Sequence, residues 1–196
     1  MPSFSPVIRV DPPGGGFAAG PVAAPGGSWL HLDGNADRQD VGSALRALYL
    51  AAGGRGAGTP DEAVHELIGF DVLYAPGGLL LRDEDTCVEP GPRSDLFAWR
   101  TWLAALYRGE VDLGPGPWVE YAGGDVVRVW PGEGRAGPSV DFARKALPGM
   151  LRKAQRDLTE FLGALRGWAA VHSPTQVELL VAAVDAGWEI TEPLPV

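Results

Sequence analysis

The chain has 196 residues, of which 45% are hydrophobic and 21% charged, the balance of a globular protein able to bury a real core. Its formal charge of −9 sets up a field that repels nucleic acid and anionic lipid, and that suits a basic protein partner if it does more than keep the protein in solution. No run approaches the roughly 18 apolar residues of a membrane span, so no membrane partner is expected.

Residues 5 to 11, SPVIRVD, read as a short strand, and residues 11 to 27, DPPGGGFAAGPVAAPGG, as a long Gly/Pro/Ala loop. SWLHLD is a second strand. From about Asp37 to Ala52 the apolar positions Val41, Ala44, Leu45, Leu48, Tyr49 and Ala52 fall on one stripe at helical spacing. TPDEAVHELIGF carries a strong helix start: Thr59 caps, Pro60 suits the first position, Glu62 closes a capping box, and Gly69 suits the stop. FDVLY and GLLLRD then read as strands joined by a Pro-Gly-Gly turn. SDLFAWRTWLAALYRG reads as a helix capped by Ser94, with Leu96, Trp99, Leu103 and Leu106 facing inward.

WVEYAGGDVVRVW, residues 118 to 130, is the clearest hairpin. A three-residue loop, Gly123 to Asp125, opposes Trp118 with Trp130 and Glu120 with Arg128. It leaves Val119, Tyr121, Val127 and Val129 as one apolar face, and register follows that face. From Ser139 to Val171 the pattern is helical, with Pro148 kinking the helix or splitting off a short first one. Leu147, Leu151, Ala154, Leu158, Phe161, Leu165 and Trp168 form its apolar stripe. In SPTQVELLVAAVDAGW, Ser173 caps, Pro174 starts the helix, Gln176 completes the box and Gly187 ends it. The tail EITEPLPV is an edge strand or loose.

Strands mixed with helices, then helices alone, imply the α+β class: a small, mostly antiparallel sheet including the 118–130 hairpin, covered by helices that include a C-terminal helical region. The Gly/Pro stretch 131–138 is the place for a subdivision. The helices beyond it need a sheet to cover, so residues 1–196 read as a single domain.

Several fragments imitate sites. In HLDGNAD, Asp33, Asn35 and Asp37 have the spacing of the first ligands of a calcium loop, but Arg38 and Ala44 stand where that loop needs glycine and an acidic ligand. A turn at Gly34 and a helix cap at Asp37 account for them. GGGFAA, residues 14 to 19, matches a dinucleotide fingerprint but runs into Gly20-Pro21, where no helix opens. Cys87 is the only cysteine, which excludes an internal disulfide and fits a reducing cytosol. Carboxylates flank it and disfavour a thiolate. His31, His65 and His172 have no metal spacing. The basic face of the long helix (Arg144, Lys145, Arg152, Lys153, Arg156, Arg166) reads as a solvated face pairing with carboxylates, not as a nucleic-acid surface. MPSFSPVIRV lacks the build of a signal peptide, so the expected compartment is the cytoplasm.

PGPRSDLFAWRTWL, PWVEYAGGDVVRVW and DLTEFLGALRGWA together resemble a set of small cytosolic bacterial proteins over about residues 70 to 170. That set is similar in style to immunity proteins that neutralise secreted bacterial toxins. Its members carry cysteines after the Pro-Gly turn; this chain has Pro92 and Arg93 there, so the resemblance implies no thiol role.

The preferred expectation is a non-enzymatic cytosolic binding protein, an immunity-type inhibitor of a bacterial toxin, with no catalytic set, metal or cofactor. Its contacts are the acidic run Asp83, Glu84, Asp85 and Glu89, with Trp99 or Trp102 if either is exposed. One alternative is a small-molecule-binding protein or enzyme with a Trp-lined pocket holding His31, Asp33 and Arg128. Another is a structural subunit of a larger assembly, joined through an apolar patch.

Overall fold

A computed structural model describes residues 1–10, 29–56, 58–84, 86–132, 135 and 137–196. The loop 11–27 and its GGGFAA motif lie outside the described residues. In chain order the elements begin with strand β1 (Ser3–Arg9), strand β2 (Trp29–His31), helix α1 (Arg38–Ala51), helix α2 (Pro60–Ile68), strand β3 (Gly77–Asp83) and strand β4 (Thr86–Val88). A 3-10 helix, Leu96–Tyr107, follows, then strands β5 (Trp118–Ala122), β6 (Val126–Trp130) and β7 (Val140–Ala143), and helices α3 (Leu147–His172) and α4 (Val177–Trp188). A short 3-10 turn, Arg144–Ala146, leads into α3. The class is α+β, with two small antiparallel sheets, ordered β2-β1-β3-β4 and β5-β6-β7.

Both early helices start as their sequences dictate. Asp37 accepts from the Gln39 and Asp40 amides at 2.7 and 2.9 Å, and Asp40 answers from the Asp37 amide at 3.1 Å. Thr59 and Glu62 make the same reciprocal pair. The α1 stripe from Val41 to Tyr49 is buried. The hairpin has the expected register, Trp118 opposite Trp130 and Glu120 opposite Arg128.

The 3-10 helix departs from α-helical expectation. Asp95, not Ser94, caps it. Its buried residues are Leu96, Trp99, Trp102 and Ala105, spaced by three throughout, while Leu103 and Leu106 are only half-buried. Side chains three apart eclipse in a 3-10 helix, so one line of the sequence faces the core. Such helices rarely run this long, because their hydrogen bonds are poorly aligned. The two tryptophans offset that cost: each ring buries about 150–250 Å², or roughly 4–6 kcal/mol at 25 cal/mol/Å² as an upper bound.

Trp102 packs against Phe4 of β1, ring centroids 4.7 Å apart, and against Phe142 of β7 at 6.4 Å, so one ring ties the two sheets together. The indole N–H of Trp99 donates to the Trp188 carbonyl at 2.9 Å, fixing the end of α4. α3 covers β1 and packs against α1 and α4, and the core runs from Phe4 to Ile190.

Four local expectations fail for identifiable reasons. Phe70–Tyr74 is not a strand: the Phe70 amide turns back to the Leu67 carbonyl at the end of α2, and just beyond the segment Ala75 sends its amide to the Asp95 carboxylate. Residues 140–143 form β7, with Val140 and Phe142 buried and Asp141 exposed, so the helical region begins only at Leu147 and Pro148 sits in its first turn. Helix α4 starts at Val177 because Ser173 is not its cap: the hydroxyl donates to Asp61 at 2.5 Å. It runs past Gly187, with Glu189 in the left-handed region at φ 51°. The tail is neither strand nor loose. Arg100 donates to the carbonyls of Glu189, Glu192 and Pro193, and Gln155 to those of Ile190 and Glu192.

A close backbone approach lies between β1 and β3. A Cβ on Gly77 would sit 2.2 Å from the Val7 carbonyl oxygen. Gly77→Ala should therefore lower stability by about 1–3 kcal/mol, whereas Gly123→Ala in the open hairpin loop should stay within about 0.5 kcal/mol of the parent. Urea denaturation of both variants checks this.

Candidate functional site

Asp95 organises one face of the molecule. One carboxylate oxygen accepts from the Phe97 amide, capping the 3-10 helix, and from the Ala75 amide, both at 3.1 Å. Burial pushes its pKa above the usual aspartate value, and the two amide bonds work in the other direction. Next to it, the Ser94 hydroxyl donates to the Leu113 carbonyl at 2.7 Å. From the following turn, Thr101 donates to the Ala98 carbonyl at 2.8 Å and to that of Asp112 at 3.2 Å. These bonds hold the loop Asp112–Pro117 against the helix. On the other side Gly91 is required, because a Cβ there would meet the Pro115 carbonyl at 2.2 Å.

Between loop and helix lies a pocket of about 230 Å³. Its floor is apolar: Leu79, Leu81, Val88, Trp99, Trp102 and Val129. Glu89, Asp95, Asp112 and, among the described residues, a single cation, Arg93, also line it. Two further hollows, of about 260 and 390 Å³, adjoin it, and Pro117 lines all three. The larger one runs beneath Trp118 and Tyr121. There the Tyr121 hydroxyl donates to the Gly109 carbonyl, and burial raises its pKa against the opposing charge of Arg144.

The residues singled out from sequence divide into three groups. Glu89, Trp99 and Trp102 come together at the pocket. The two tryptophans are only 1% and 3% exposed, so they form its floor and cannot be exposed partner contacts. The exposed rings of this region are Trp118 at 50%, Phe97 at 50% and Tyr107 at 80%. Asp83 and Glu84 stand apart, at the tip of the β3–β4 hairpin. Asp83 lies 3.0 Å from the Met1 amine, and Glu84 holds a left-handed φ of 46°. Asp85 lies outside the described residues.

None of His31, Asp33 and Arg128 lines the hollows around Pro117. His31 is exposed on β2, and the Asp33 carboxylate accepts from the Asn35 amide at 2.8 Å. Arg128 binds Asp141 through two bonds, at 2.8 and 2.7 Å. This pair raises the arginine pKa and lowers that of the aspartate. Arg128 stands between two register partners, Glu120 of β5 and Asp141 of β7, and both of its side-chain bonds go to Asp141. Glu120 takes the Trp130 indole N–H at 3.2 Å instead. The basic helix face disperses into local pairs, Lys153 with Asp157, Arg166 with Glu178 and Arg144 with Asp125. Among the described residues no group of three His, Cys, Asp or Glu side chains is placed to hold a metal. No helix among them is long and apolar enough to cross a membrane.

Sequence reasoning passed over Asp95 and Asp112. The available signals were an Asp immediately before the first helical residue, and the run Gly114-Pro115-Gly116-Pro117 that lines the pocket's edge. Comparison with family models, curated protein sequences and solved structures finds no match. No relative's site residues therefore transfer to this pocket.

Asp95→Ala strands two backbone amides and should lower stability by about 1–3 kcal/mol. Asp95→Asn keeps an oxygen acceptor and should retain most of it. Because folding raises the Asp95 pKa, its stabilising contribution is full below the unfolded value of about 3.9 and is lost as pH rises through the folded value. The Asn variant should therefore gain on the parent as pH rises from 4 to 7, as read from urea midpoints at both pH values.

Proposed function

We propose that this protein is a non-enzymatic binding protein that docks a basic protein partner on the face around Pro117, as an immunity-type inhibitor of a bacterial toxin would. The supporting observation is the pocket itself, an apolar floor with three carboxylates along its lining beside an exposed Trp118. The pocket itself holds about 230 Å³. That size suits one anchoring side chain of a protein, the usual form of a binding hot spot. The net charge of −9 adds attraction for a basic partner and speeds encounter at low salt.

The two hydroxyls at the pocket, on Ser94 and Thr101, donate to backbone carbonyls, which favours a structural over a nucleophilic role. The residues of the small-molecule alternative, His31, Asp33 and Arg128, line none of these hollows. The toxin-inhibitor form of the proposal rests on the sequence resemblance alone.

Immobilised protein exposed to lysate of its source cells at low salt should retain one protein in stoichiometric amount. Trp118→Ala combined with Glu89→Lys should release it, as should raised salt. Absence of a stoichiometric partner on the parent protein would overturn the proposal.

A further inference from the structure

We propose that the pocket beside Pro117 is an arginine socket, receiving the guanidinium side chain of the docking partner with its stem over Trp99 and Trp102 and its head among Glu89, Asp95 and Asp112. This inference rests on the docking function proposed above and specifies the chemistry of its anchor. A wholly apolar anchor would leave three carboxylates to be desolvated without compensation. A small anion would meet three negative groups and, among the described residues, only Arg93. A long side chain with an apolar stem and a cationic head satisfies both parts of the lining.

Arginine fits better than lysine for a geometric reason. The carboxylates come from three separate segments: Glu89 just after β4, Asp95 at the helix cap and Asp112 on the facing loop. A planar fork with five donors can address several of them at once, while an ammonium acts as a compact point charge. The guanidinium plane also lies well on an indole face. This protein already does so internally, with Arg100 placed 4.8 Å from the centre of the Trp99 ring. The Asp95 oxygen already engaged by two amides keeps that residue fixed while the pocket is occupied.

The probe is N-acetyl-arginine methylamide, titrated into the isotope-labelled full chain and followed by amide chemical shifts. Saturable shifts at Ala98, Thr101 and Gly114 are expected in the millimolar range. The citrulline analogue, which has the same shape without the charge, should bind about tenfold more weakly, equivalent to 1.4 kcal/mol. The leucine analogue should not saturate. Glu89→Gln with Asp112→Asn should weaken the arginine probe at least several-fold in a protein whose spectrum stays dispersed. The Asp112→Asn change keeps a side-chain oxygen for the Gly114 amide, which Asp112 accepts at 2.9 Å.

Equal responses to the arginine, citrulline and leucine probes would overturn the socket, as would an unchanged response in the double variant. Capture of a partner from lysate, with no arginine response at these amides, overturns the socket and leaves the docking function standing. An arginine response in a protein that captures no partner does the reverse.

Discussion

The three-residue spacing of Leu96, Trp99, Trp102 and Ala105 is the constraint on which the rest of the molecule hangs. An α-helix would spread those four side chains around its surface, and the 3-10 form stacks them in one line. Trp102 then meets Phe4 of one sheet and Phe142 of the other, and Trp99 bonds to the end of α4. The two sheets share no strand, so this line of side chains is a principal mechanical link between them. The same two indoles floor the candidate pocket, which makes the site a by-product of how the core is closed.

The opposite side of that helix anchors the chain's end. Arg100 bonds to three carbonyls between Glu189 and Pro193, and Gln155 of α3 takes carbonyls from the same stretch. Backbone groups leaving α4 thus find partners without forming a strand. Burial elsewhere is less complete in its bonding. The indole N–H groups of Trp168 and Trp188 are buried with no acceptor among the described residues. Dispersion and area burial hold these rings, with Trp188 stacked on Phe161 at 6.4 Å.

Negative charge is not spread evenly in its consequences. At the β3–β4 tip Asp83 pairs with the Met1 amine and Glu84 is exposed, accepting a backbone geometry better suited to glycine or asparagine. Around Pro117 three carboxylates border a hollow with an apolar floor, where the lower dielectric makes each charge count for more. A sequence scan weighs the dense acidic run most heavily, because it sees charge per residue and not charge per cavity. Of that run, only Glu89 reaches the pocket among the described residues.

Local chemistry was legible wherever neighbours in sequence are also neighbours in space. The capping boxes at Asp37 and Thr59, the stripes of α1 and α3, and the hairpin register at Trp118–Trp130 each rest on a repeating pattern or a turn within one local segment. The chain by itself therefore determined the α+β class, most helix positions and the turn and helix cap of the calcium-like HLDGNAD, which the oxygens of Asp33 and Asp37 serve. Tertiary structure alone decided the rest. It made β7 a strand by placing Asp141 against Arg128, and it moved the role of Ser173 to Asp61. It also joined Glu89, Asp95, Trp99 and Asp112 around one hollow. Arg128 and Asp141 lie 13 positions apart and Asp61 and Ser173 112, and neither pairing carries a periodicity or motif; the closure of a shared core brings them together.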